Sequence, residues 1–172
     1  MRIGMLTGAV CALLPLAAAA EVRFAAADGM LIVHEYRIAA PAAKAWESLV
    51  HPERWWPEDH TWSGTRASLS LEAKAGACFC ERWQGGSAEH GRVLMAQPWQ
   101  LLRLRASLGP LQEMAVAGVL TIQLNEQEGV TTAAVSYRVS GDPAHKLDGL
   151  APIVDQVIGI QFGGFAEDAG KP

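Results

Sequence analysis

Leu31-Ile32-Val33-His34-Glu35-Tyr36-Arg37-Ile38, then Ala39-Ala40-Pro41, and then His51-Pro52-Glu53-Arg54-Trp55-Trp56-Pro57 form the stretch on which the reading of the fold turns. In the first eight residues Ile32, His34, Tyr36 and Ile38 fall on one side of an extended chain, and Val33, Glu35 and Arg37 on the other. A period of two marks a half-buried strand. Pro41 suits the first position of a helix, where its missing N–H costs nothing, and Ala45, Trp46, Leu49 and Val50 then share one face. Pro52 starts a further short turn through Trp55 and Trp56, which Pro57 stops. Neighbours in sequence point apart, so one of the two tryptophans is expected inside and the other at a rim.

Upstream, Arg2 precedes an apolar run from Met5 to Leu16 and the small residues Ala17 to Ala20. This is the layout of a secretory signal peptide, with Ala18-x-Ala20 fitting the cleavage rule. The run is shorter than the roughly 20 residues needed to span a bilayer, so cleavage is expected, with an uncleaved tether as the alternative. Cys11 reads as an ordinary signal residue. Residues 21–172 are then one domain, soluble and either periplasmic or secreted.

The full chain has 14 Lys and Arg against 18 Asp and Glu, a net charge of −4, and losing Arg2 makes it more negative. Such a balance offers no footprint for nucleic acid. No basic helix suits an anionic membrane surface either, and beyond the signal no apolar segment is long enough to cross a bilayer.

Downstream, short alternating runs separated by turn residues read as an antiparallel meander: 67–73, 77–83, 89–95, 100–106, 114–124 and 130–139. Gly85-Gly86 is read as a two-residue hairpin turn and residues 125–129 as a looser one. The last element, Ala151 to Ala169, has Val154, Val157, Ile158, Phe162 and Phe165 at helical spacing, with Pro152 at its start and Gly170 as its stop. The order is α+β: seven strands, two short helices after the first, and a long C-terminal helix. One helix across a curved sheet leaves a concavity part-filled, and that space is a pocket.

The segments Ile38-Ala39-Ala40-Pro41 with Trp46, His51 to Pro57, and Gly91-Arg92-Val93-Leu94 leading to Pro98 resemble the START/SRPBCC (helix-grip) superfamily. Within it they are similar to the bacterial branch related to the activator of the heat-shock-protein ATPase and to polyketide cyclases. The resemblance spans the whole chain after the signal. It implies a cavity between a curved seven-stranded sheet and the final helix, commonly holding a hydrophobic ligand. An exported chain would not meet the cytosolic chaperone that the ATPase activators serve.

Candidate pocket residues follow from the faces. His34 and Tyr36 share the apolar face of the first strand, Tyr137 that of the last, and Trp56 is the candidate rim tryptophan. Leu104, Val116, Leu120, Val154 and Ile158 are expected to complete the lining. Cys78 and Cys80, two apart in a strand, point the same way, with Phe79 and Glu81 opposite. Three readings stay open for the thiols. In the first they are free and line the cavity. In the second they are bridged, although about 6.6 Å between the Cα atoms of an extended strand is at the upper end of disulfide geometry. In the third they are a metal pair, which zinc would need to supplement with further ligands.

Centring the hairpin on Gly85-Gly86 pairs Glu81 with His90. With Arg92 on the same side, this reads as a solvent-facing ion pair, and its alternative is a carboxylate-oriented imidazole for acid–base chemistry. A bulge or a one-residue slip would exchange the faces. Asp155 either points outward or gives the pocket a polar end. No nucleophile elbow, phosphate loop or dinucleotide fingerprint occurs, and no cofactor or metal is expected. The leading expectation is a non-catalytic binder of a hydrophobic small molecule or lipid. The alternatives are a cyclase, dehydratase or hydrolase using pocket His, Tyr and Cys, and a folding or assembly helper.

Overall fold

In the computed structural model, which describes residues 21–172, the chain enters with β1 (Glu21–Ala26) and runs back as β2 (Gly29–Ile38). The expected signal peptide lies outside the described residues. Next come α1 (Ala42–Leu49), a 3-10 turn at Pro52–Arg54 and another at Glu58–His60. The meander is β3 (Leu69–Leu71), β4 (Cys78–Trp83), β5 (Gly86–Gln97), β6 (Leu101–Arg105), β7 (Ala117–Gln127) and β8 (Val130–Ser140). It leads into α2 (Leu147–Gly170). All strand pairs are antiparallel, in the order β1-β2-β8-β7-β6-β5-β4-β3.

Among the described residues the sheet has eight strands rather than the expected seven. The extra one is β1, whose alternation is limited to Val22 and Phe24, flanked by Glu21, Arg23 and alanines, and is broken by a bulge between them. The run expected at 67–73 shrinks to three residues because Arg66–Ser68 forms a 3-10 turn, capped by the Thr65 side chain. α2 begins at Leu147, after Lys146 in a left-handed conformation, so Pro152 lies inside the helix, on its exposed side. Solvent there can satisfy the carbonyl that loses its partner.

Two hairpins set register. Gln127 pairs with Val130 around Glu128 and Gly129, both at positive φ (52° and 76°), the twist a two-residue turn requires. At the β4–β5 hairpin Trp83 pairs with Gly86, so the turn is Gln84-Gly85 rather than Gly85-Gly86, with Gly85 at φ 89°. Glu81 therefore pairs with Ala88 and Cys80 with Glu89. A bulge then brings Phe79 opposite Gly91 and Cys78 opposite Arg92.

The core lies between the sheet and α2. Ile32, Val135, Val139, Leu120 and Leu104 present one apolar face, and α2 returns Ile158, Phe162 and Phe165. Both Trp55 and Trp56 are buried, against the expectation that only one could be. The turn that carries them is wedged between α2 and the sheet, so opposite directions both lead inward. Trp55 packs at a tilt against Phe162 and Phe165 and donates its indole N–H to the Ser48 carbonyl, while Trp56 packs on Phe79 and His90. Gly164 makes this possible, since a Cβ there would lie 2.7 Å from the Trp55 carbonyl oxygen.

Asp168, near the end of α2, fastens the helix to α1 and the turn after it. Its carboxylate accepts from the Ser48 hydroxyl at 2.7 Å and pairs with Arg54 at 2.9 Å and Lys171 at 3.2 Å. Burial would raise its pKa. The hydrogen bonds from Ser48 and Lys171 and the nearby cations outweigh that and hold it below the ordinary 3.8.

Candidate functional site

A cavity of about 510 Å³ opens between the inner sheet face, the N-terminal half of α2 and the connection from β6 to β7. Its apolar wall comes from Trp56, Leu108, Leu111, Met114, Val157 and Ile158, and Trp62 and Ile153 stand half-exposed at its mouth. The size and character are those of a small-molecule site, for which about 300–1,000 Å³ is usual.

The wall formed by the β6–β7 connection is pinned from inside the sheet. The Tyr137 hydroxyl accepts from the Leu108 N–H and donates to the Ala106 carbonyl, both at 3.1 Å, and the Ser107 hydroxyl donates to the Val116 carbonyl. Burial pushes the Tyr137 hydroxyl up to about 12. Its ring borders the cavity while its oxygen is spent on the wall.

His90 is one of the polar residues of the lining. Contrary to the expectation of a solvent-facing pair, Glu81 is 0% and His90 3% exposed, with His90 Nε2 2.9 Å from Glu81 Oε2. The bulge is the reason: it lets Glu89 and Arg92 both point outward with His90 between them pointing inward. Glu81 also accepts from the Trp62 N–H at 3.1 Å and the Ser63 N–H at 2.5 Å. Burial alone would raise its pKa. The hydrogen bonds from Ser63, Trp62 and His90 outweigh that and lower it below 4.5. Among the described residues two further polar atoms are buried without a partner, His60 Nδ1 and Gln161 Oε1, and both residues line this cavity.

Of the residues expected in the pocket, Trp56, Tyr137, Val154, Ile158 and His90 line it. His34 and Tyr36 do not. The His34 Nε2 lies 2.8 Å from Asp155 Oδ1, the Tyr36 hydroxyl donates to the Gly159 carbonyl at 3.1 Å, and the two rings stack in parallel. They form the bed on which α2 rests. Gly159 is what lets the helix descend there, since a Cβ would stand 3.0 Å from His34 Cε1. Burial, with the Asp155 charge, pushes Tyr36 up to about 12. Asp155 thus serves the sheet contact rather than a polar pocket end.

Leu104, Val116 and Leu120 are buried in the core beside the cavity rather than on its surface. Cys78 and Cys80 form a disulfide, Cα–Cα 5.3 Å, and lie outside the lining. A strand that twists at a bulge brings the Cα atoms closer than full extension would, which corrects the reading of free thiols in the pocket. Among the described residues no cluster of three His, Cys, Asp or Glu side chains could hold a metal.

The cavity is also lined by Asp59 to Trp62, Leu108 to Leu111, Met114, Leu150, Ile153, Val157 and Gln161, which the alternation and turn pattern do not assign to a pocket. Gln161 was the legible one. It continues the Val154, Val157, Ile158 face at helical spacing, and a polar residue on such a face marks either a partner or a ligand.

No protein-family model matches the chain, and no curated protein sequence does either. Solved structures do. Protein MLL2253 from Mesorhizobium loti superposes with a TM-score of 0.58 at 18% identity, over 80% of this chain and 95% of that one. Protein CV1439 from Chromobacterium violaceum gives 0.60 at 14%, over 83% and 98%. DynU16, a protein in the dynemicin biosynthetic locus, gives 0.55 at 17%, over 80% of this chain and 46% of that one. At such identities the likeness is one of fold, a curved sheet gripping a C-terminal helix, consistent with the helix-grip architecture.

Proposed function

We propose that this chain binds a hydrophobic small molecule or lipid in the cavity between the sheet and α2, as a member of the bacterial branch of the SRPBCC superfamily similar to polyketide cyclases. The observation that carries the reading is the cavity itself: about 510 Å³, walled by Trp, Leu, Met, Val and Ile side chains and open past Trp62 and Ile153. Apolar surface left unfilled at this scale is costly in water, and about 25 cal/mol per Å² is recovered when a ligand covers it. The similarity in fold to a protein in a biosynthetic locus supports a small-molecule ligand.

The protein acts outside the cytoplasm. Support comes from the signal-like N-terminal pattern and the Cys78–Cys80 bridge, which an oxidising compartment maintains. No helix among the described residues is long and apolar enough to cross a membrane.

Native mass spectrometry of protein isolated from cells tests all of this together. The expected spectrum shows a chain beginning at Glu21, two protons lighter than the dithiol, carrying an apolar compound that organic extraction releases. A chain that carries no compound and fails to bind Nile red would refute ligand binding. A retained N-terminus would refute export by cleavage.

A further inference from the structure

The polar end of the cavity is built more tightly than a binding pocket needs. Glu81 is held by the N–H groups of Trp62 and Ser63 and by His90, so its carboxylate has no freedom to turn. Because that carboxylate engages Nε2 of His90, the ring keeps its hydrogen there, and Nδ1 is left with a lone pair. Phe79 and Trp56 flank the ring, at centroid distances of 5.0 and 6.0 Å, and fix its plane. His90 nevertheless borders the cavity, so the fixed imidazole is within reach of whatever enters. His60 Nδ1 and Gln161 Oε1 border the same space with their hydrogen-bonding capacity unused. Buried polar atoms without partners are rare, and a molecule held in the cavity that His60, Gln161 and the oriented His90 all line would supply the partners.

We propose that His90, positioned by Glu81, is a general base and acid that tautomerises an apolar carbonyl compound bound in the cavity. This rests on the cavity being a ligand site. His90 Nδ1 takes a proton from the carbon beside the carbonyl. The C–H electron pair becomes the enolate double bond, and the carbonyl π pair moves to oxygen. The His60 ring nitrogen, in the tautomer carrying hydrogen at Nδ1, donates to that oxygen, and Gln161 Oε1 accepts from the hydroxyl that forms when the oxygen is protonated. The imidazolium returns its proton to a different carbon or to the oxygen. Nothing is oxidised or reduced, and no co-reactant is consumed.

Because the natural substrate is unidentified, the probe is 5-nitrobenzisoxazole, a flat apolar carbon acid. A base removes its ring C–H proton, the C–H pair forms the nitrile, the N–O bond breaks, and its electron pair stays on oxygen, giving a coloured cyanophenolate. The protein is expected to accelerate this saturably. His90→Gln should lower kcat by about 100-fold or more, the usual worth of a positioned base, and imidazole added to His90→Ala should restore part of it. Glu81→Gln should lower kcat by about 10-fold or more with KM unchanged, while exposed His51→Ala changes neither.

Circular dichroism establishes that each variant is folded, and if Glu81→Gln is not, His90→Gln and imidazole rescue carry the test. If the probe displaces Nile red from the protein but turns over no faster than with free imidazole, or if His90→Gln is as fast as the parent, the acid–base role is overturned and the cavity stands. If neither the dye nor the probe binds, the binding reading falls and this one with it.

Discussion

Replacing Tyr137 by phenylalanine isolates the contact that holds the cavity wall. The hydroxyl bridges the Leu108 N–H and the Ala106 carbonyl at 3.1 Å each, and the residue is 0% exposed, so water cannot take its place without the wall moving. Leaving the buried Leu108 N–H unpaired costs about 1–3 kcal/mol, and losing the bond to Ala106 adds about 1. The expected loss is therefore about 2–4 kcal/mol, or about 5–15 °C in Tm for a domain of this length.

Urea unfolding followed by tryptophan fluorescence measures the loss, and the slope with denaturant should stay that of the parent because the surface exposed on unfolding is the same. Tyr36→Phe is the control. It removes one bond, to the Gly159 carbonyl at a half-buried position, and should cost about 1 kcal/mol. A loss below about 0.5 kcal/mol for Tyr137→Phe, or one no larger than for Tyr36→Phe, would refute the view that this hydroxyl carries the wall.

Three other perturbations give separate readings. Val157→Trp should fill the cavity from α2 and abolish Nile red binding while the urea midpoint stays within the range of ordinary surface changes; retained dye binding would place the ligand elsewhere. On α2, Gly163→Ala meets nothing within 4 Å and should stabilise by up to about 1 kcal/mol, whereas Gly159→Val should destabilise because its Cβ meets the His34 ring; thermal unfolding of both checks the seating of the helix. Glu81 and Asp168 are held below 4.5 and 3.8, so below those values the unfolded chain binds protons the folded one does not. Stability that is complete above about pH 4.5 should thus decline on acidification, and Asp168→Asn should flatten the decline in a series of urea midpoints.

The acid limb and the wall both depend on groups whose residue types were visible early but whose neighbours were not. Alternation alone puts Tyr137 on the inner face, yet nothing local announces that its hydroxyl meets the backbone at positions 106 and 108, far away in sequence. Alternation gives His34 and Tyr36 their inner face, but they seat α2 rather than line the cavity. An inner face serves both the cavity and the bed of α2, and only the path of the helix separates the two.

What the sequence by itself determined is the set of elements. Alternation from Leu31 to Ile38, prolines at 41 and 52, and apolar helical spacing from Val154 to Phe165 follow from backbone sterics and hydrophobic periodicity, which are local. What only the tertiary structure decided is which side chains meet. A hairpin turn at Gln84-Gly85 and one bulge make Glu81 and His90 a buried pair at the cavity wall instead of an outward one. The loop from Leu108 to Met114, which has no periodicity to read, became a cavity wall because Tyr137 reaches across the sheet to hold it. Register and loop docking depend on long-range packing, and short-range pattern carries no record of either.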